Sequence, residues 1–122
     1  MLQTQNSKQY DLEDRTLQFA RECRSLMKRI PKNISNFEDG KQLVRSSGSV
    51  GANYIEANES LSKKDFVMRV KISRKEAKES QFWLKLLDID ETSETDNLRK
   101  RLLQEALELT KIFGSILEKS KF

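Results

Sequence analysis

Between Lys63 and Lys85, eight basic side chains (Lys63, Lys64, Arg69, Lys71, Arg74, Lys75, Lys78 and Lys85) stand against Asp65, Glu76 and Glu79, a local net charge of +5 in a chain of net +4. Cations at this density do one kind of chemistry well, which is to neutralise phosphate. At about 100° per helical residue, Lys64, Lys71, Arg74, Lys75 and Lys78 share roughly a third of a helix circumference, and Arg21, Arg24 and Lys28 form a second stripe upstream. Two readings are open. The stripes form a phosphate cradle, or they are solvated faces whose charges find local partners, such as Lys75 with Glu79. A sequence pI near 9.2 adds weight to the first.

Other chemistry is poorly supplied. The chain has no histidine, so it lacks the usual general base near neutral pH, His-activated nucleophiles, and the Glu-x-x-His pairs of di-metal bundles. Glu56, Glu59, Glu76 and Glu79 form the one candidate group for a hard cation, but neighbouring Arg and Lys compete for the same oxygens. No metal, cofactor or catalytic residue is expected, and the chain reads as a non-enzyme. The lone Cys23 cannot form an intrachain disulfide and lies on an apolar stripe, as a buried structural thiol does.

Four helices position these residues. With 122 residues, one proline and four glycines, the chain fits one domain of a few long elements over 1–122, frayed in its first ten residues. The first helix runs from about Asp11 to Ile30, on Leu12, Thr16, Phe19, Ala20, Cys23, Leu26, Met27 and Ile30, and Pro31 closes it. Ser35-Asn36-Phe37-Glu38 spells a capping box for a second helix reaching about Glu59. Ser62 opens a third, to about Leu87. An acidic polar stretch from Asp88 to Asp96 separates it from a fourth, whose stripe is Leu98, Leu102, Ala106, Leu109, Phe113, Ile116 and Leu117. Short connections make consecutive helices antiparallel, so the fold class is all-α, an up-down-up-down four-helix bundle. No signal-peptide stretch and no membrane-length apolar segment stands in the sequence, so a soluble cytoplasmic protein without membrane contact is expected.

The central helices carry more apolar surface than one stripe. On the second, Phe37, Val44, Gly48, Gly51 and Ile55 lie beside Leu43, Ser47, Val50, Tyr54, Ala57 and Leu61; on the third, Ile72, Trp83 and Leu86 are displaced from the core line. The surplus is either a broad core or a subunit interface, with Gly48, Gly51, Tyr54, Ile72, Trp83 and Leu86 as its candidates. Interior glycine costs a helix about 1 kcal/mol against alanine. Gly48 and Gly51 are therefore expected to admit close approach of the two central helices. A polar line (Arg45, Asn53 and Glu56 on the second helix, Arg69, Glu76 and Glu79 on the third) reads as an interhelix ladder, with Glu56 meeting Arg69 or Arg74 and Arg45 meeting Glu76 or Glu79.

The segments Asp39-Gly40-Lys41-Gln42-Leu43-Val44-Arg45-Ser46-Ser47-Gly48-Ser49-Val50-Gly51-Ala52-Asn53-Tyr54-Ile55-Glu56-Ala57 and Arg74-Lys75-Glu76-Ala77-Lys78-Glu79-Ser80, with Trp83-Leu84, resemble the bacterial 23S rRNA intervening-sequence proteins. The resemblance implies a left-handed bundle that assembles as a homopentamer. It also brings in distant relatives among accessory proteins of diversity-generating retroelements, where a basic pentamer contacts nucleic acid and a reverse transcriptase. It supplies no catalytic residues. Two functions follow. One is a non-enzymatic homo-oligomer binding structured RNA or another nucleic acid through Arg21, Arg24, Lys28, Lys71, Arg74, Lys75 and Lys78, with few aromatics free for stacking. The other is an assembly or adaptor protein that engages a protein partner without nucleic acid.

Overall fold

The computed structural model describes residues 3–121, with side chains described from residue 12 onward. Four helices follow one another: α1 (Gln3–Met27), α2 (Ile34–Asn58), α3 (Lys63–Leu86) and α4 (Glu94–Lys119). Each has 24 to 26 residues, or about 36 to 39 Å at 1.5 Å per residue. α1 begins at Gln3, ahead of the expected start near Asp11, while Met1 and Leu2, on which the expected fraying also falls, and the side chains of residues 3–11 lie outside the described residues.

Local chemistry sets the boundaries. α1 stops three residues short of the expected Ile30, because the residue before proline is pushed out of helical conformation and the last turn tightens. Lys28 N–H bonds Ser25 C=O and Arg29 N–H bonds Leu26 C=O, leaving Ile30 buried but outside the helix. The expected capping box at Ser35 is not the start of α2. Asn33 caps it instead, its Oδ1 accepting from Asn36 N–H at 2.9 Å, and the Ser35 hydroxyl donates to the same oxygen. Asn36 is fully engaged. Its amide donates to Pro31 C=O and Asp88 C=O, and its carbonyl accepts from Asp88 N–H, tying the α1–α2 loop to the α3–α4 loop. Ser62 and Ser93 cap α3 and α4 through Asp65 N–H and Asp96 N–H.

The helices form a cycle in which α1 packs on α2, α2 on α3, α3 on α4 and α4 on α1, while the backbones of the diagonal pairs stay apart and meet only through core side chains. Cross-helix contacts run in opposite directions along each pair. Met27 meets Gly40 while Glu13 accepts from Asn58, and Arg45 meets Glu79 while Asn53 meets Arg69. The bundle is therefore up-down-up-down. Its core holds Phe19, Cys23 and Leu26 of α1, Leu43, Val50 and Tyr54 of α2, Val70, Ala77 and Leu84 of α3, and Leu102, Leu109 and Phe113 of α4. Tyr54 packs on Phe113 with ring centroids 5.7 Å apart.

Candidate nucleic-acid interface

The inner side of α3 fixes how its outer side is presented. Val70, Ser73, Ala77, Ser80 and Leu84 are buried, and the serines make a close seam with α2. Ser46 and Ser80 hydroxyls lie 2.8 Å apart, and Ser73 Oγ donates to Val50 C=O at 2.9 Å. Beside them runs the polar ladder. Arg45 reaches Glu76 at 3.3 Å and Glu79 at 3.1 Å, with the Glu76 side chain only 8% exposed. Arg69 donates to Asn53 Oδ1 at 3.1 Å, and Asn53 in turn donates to Ser49.

Glu56 departs from the expected ladder. It forms no ion pair among the described residues, because Arg69 is taken by Asn53 and Arg74 leans the other way, over Gly114 of α4. The local pair of Lys75 with Glu79 does not form either, since Glu79 is drawn to Arg45. Charge is thus sorted across α3. Its acids Glu76 and Glu79 are neutralised on the α2 side, while Lys71, Arg74, Lys75 and Lys78 are exposed and in no ion pair among the described residues.

The two basic stripes do not make one cradle. α1 and α3 are diagonal in the bundle, so Arg21, Arg24 and Lys28 lie on a different side from Lys71, Arg74, Lys75 and Lys78. Arg24 is also committed to the α1–α2 seam, where it donates to Ala20 C=O and Val44 C=O and covers Gly48. Arg21 and Lys28 stay exposed.

The small-residue run needs a second correction. A Cβ on Gly51 would stand 2.7 Å from Thr16 Oγ1, and one on Gly48 would stand 3.2 Å from an Arg24 guanidinium nitrogen. Both glycines therefore face α1. The α2–α3 approach rests on Ser46, Ser73, Ala77 and Ser80, all of them buried small side chains. Of the other interface candidates, Gly51 and Tyr54 are buried within the bundle, Ile72 and Trp83 are half-buried, and Leu86 is 47% exposed.

Phe82 is the residue that sequence reasoning missed. It is 56% exposed on the outer side of α3 and stands edge-on to Trp83, with centroids 5.1 Å apart. The sequence does carry a signal for it, four residues after Lys78, but its apolar character alone does not set it apart from core.

Cys23 is fully buried on α1, and burial pushes its thiol up from about 9 to about 12, against the opposing effect of a hydrogen bond with Ser47. That thiol is protonated and shielded, the state of an inert side chain. No group of three or more His, Cys, Asp or Glu among the described residues is placed to hold a metal ion, and Arg45 already occupies Glu76 and Glu79. No helix among the described residues is long and apolar enough to cross a membrane.

Comparison with known proteins agrees with this architecture. Residues 8–115 match the 23S rRNA-intervening sequence protein family. A search of curated proteins finds no match. Among solved structures, the fold is similar to a protein of unknown function from the S23 ribosomal protein family of Bacteroides thetaiotaomicron. That chain is 32% identical, with 89% of this chain and 96% of that one covered and a TM-score of 0.76. With residues 8–115 matched and a solved relative 32% identical over 89% of this chain's length, the chain belongs to the 23S rRNA-intervening sequence protein family.

Proposed function

We propose that this chain is a non-enzymatic, homo-oligomeric bundle that binds structured RNA or another nucleic acid by phosphate contact along the outer face of α3. The observation that supports this most is the sorting of charge on that helix. Arg45 draws Glu76 and Glu79 to one side, so Lys71, Arg74, Lys75 and Lys78 present positive charge that no neighbouring acid cancels. Self-association is supported by apolar side chains left in water on the α1–α2 side, namely Leu17, Phe37 and Ile55 at 48%, 64% and 48% exposure. A pentamer, the expectation drawn from the family resemblance, would repeat the basic face five times.

Backbone contact of this kind is salt-dependent and weakly sequence-selective. The test is titration of a structured RNA at low ionic strength, with light scattering to follow particle size. Replacing Lys71, Lys75 and Lys78 by glutamate should weaken binding by at least about 100-fold and flatten its salt dependence. Absence of binding at low salt, or an unaffected triple variant, would overturn the proposal.

A second reading, an adaptor that acts through protein contacts, draws on the loop end of the bundle. There Ile34 and Phe37 are 85% and 64% exposed beside a groove of about 600 Å³ lined by Met27, Ile30 and Pro31. Retained particle size together with no RNA binding would favour it.

A further inference from the structure

Lys71, Lys75, Lys78 and Phe82 follow the spacing i, i+4, i+7, i+11. On a helix this keeps all four within about 60° of arc and spreads them along about 16 Å. Three positions of the stripe are exposed cations in no ion pair among the described residues, and the fourth is a phenylalanine 56% exposed. Its ring is not loose. Trp83, itself packed against the core, meets Phe82 edge-on at an interplanar angle of 76°, which supports the ring from one side and leaves the rest of it to solvent.

The stripe constrains what can lie on it. An apolar partner surface would cover Phe82 but would also strip water from three lysines, a cost that no acid on this face offsets. A duplex would satisfy the lysines and leave the ring idle, since paired bases do not offer their faces. A strand with unpaired bases meets both demands, with a flat apolar face for the phenyl ring and phosphates for the cations. We infer that the outer face of α3 is a single-strand subsite, in which Phe82 stacks on an unpaired base while Lys71, Lys75 and Lys78 hold the adjoining phosphates. The inference rests on the nucleic-acid reading above and gives it a strand preference. It also revises the expectation that few aromatics are free for stacking.

The test compares an unstructured RNA of about 12 nucleotides with a duplex of the same sequence, using the full chain and the variants Phe82→Ala, Phe82→Tyr and the triple lysine-to-glutamate replacement. Phe82→Ala should weaken single-strand binding about 10-fold and leave duplex binding within about twofold, while Phe82→Tyr keeps the wild-type preference. Emission of Trp83, the only tryptophan, should change on single-strand binding and stay unchanged with Phe82→Ala. If RNA binds through the lysines but Phe82→Ala affects both ligands alike or neither, the subsite is refuted and the phosphate reading stands. If wild type binds no RNA at low salt, both fall. A change in particle size with Phe82→Ala would assign the ring to a contact between proteins and overturn the subsite.

Discussion

Where α2 meets α3 the buried side chains are small and hydroxylic, and the two helices share the longest close-packed seam of the bundle. Ser46 pairs with Ser80, and Ser73 bonds the α2 backbone directly. Where α1 meets α4 the backbones approach least, and long charged side chains span the gap. Arg15 binds Glu105 through two nitrogens and reaches Glu108 as well, all at 2.7 Å. Hydrogen bonding to Glu105 raises the Arg15 pKa further above its ordinary range, and bonds from Gln104 and then Arg15 lower that of Glu108. The contrast separates two ways of joining helices. A seam of short side chains fixes distance and has no room to adjust, whereas a seam of flexible ion pairs tolerates displacement and is weakened by salt.

Added bulk tests the close seam most severely. Ser80→Leu should destabilise by about 3 kcal/mol, through overpacking and loss of the Ser46 partner, and thermal melting that matches wild type would remove the distance argument. On the other flank of α2, Gly51→Leu should destabilise by about 2 kcal/mol against Thr16. Gly48→Ala, by contrast, should be neutral or stabilising by up to about 1 kcal/mol, because only the movable end of Arg24 is in the way. Equal losses at the two glycines would contradict the packing described.

Cys23 gives the buried α1–α2 side a pH signature. Its folded pKa is raised, so the contribution to stability is complete below about pH 9 and is lost as pH rises toward about 12, because the unfolded thiol ionises first. The stability difference between wild type and Cys23→Ala should shrink by roughly 1 kcal/mol between pH 7 and pH 10. A constant difference in denaturant melts would mean the thiol is not buried as described. The smallest effect belongs to the open seam. With side chains 36% and 25% exposed, the Arg15 and Glu105 pair should contribute about 0.5 kcal/mol at low salt, and Arg15→Ala should approach wild-type stability in roughly 1 M salt. A loss that salt leaves unchanged would show the α1–α4 seam to be as distance-critical as its counterpart.

Much of this was legible in the residues. Four helices, the cap at Ser62, the core stripes of α1 and α4, and the meeting of Arg45 with Glu76 and Glu79 all follow from periodicity, capping chemistry and antiparallel order. Those features depend on short-range geometry, which one helix or one connection determines. Less was legible at the site. Asn36 reads as an interior residue of the expected capping box, yet its side chain reaches across to Asp88, and no local rule contains that contact.

By itself, then, the sequence determined the bundle, its element order and the basic character of α3, because the helical repeat and charge spacing are properties of the chain. Only the tertiary structure decided which neighbour each flank meets. A helical wheel places Gly48 and Gly51 to one side of the core line, yet whether α1 or α3 stands on that side depends on how the cycle of helices closes. The same closure set the two basic stripes on diagonal helices and left Phe82 in water beside Lys78.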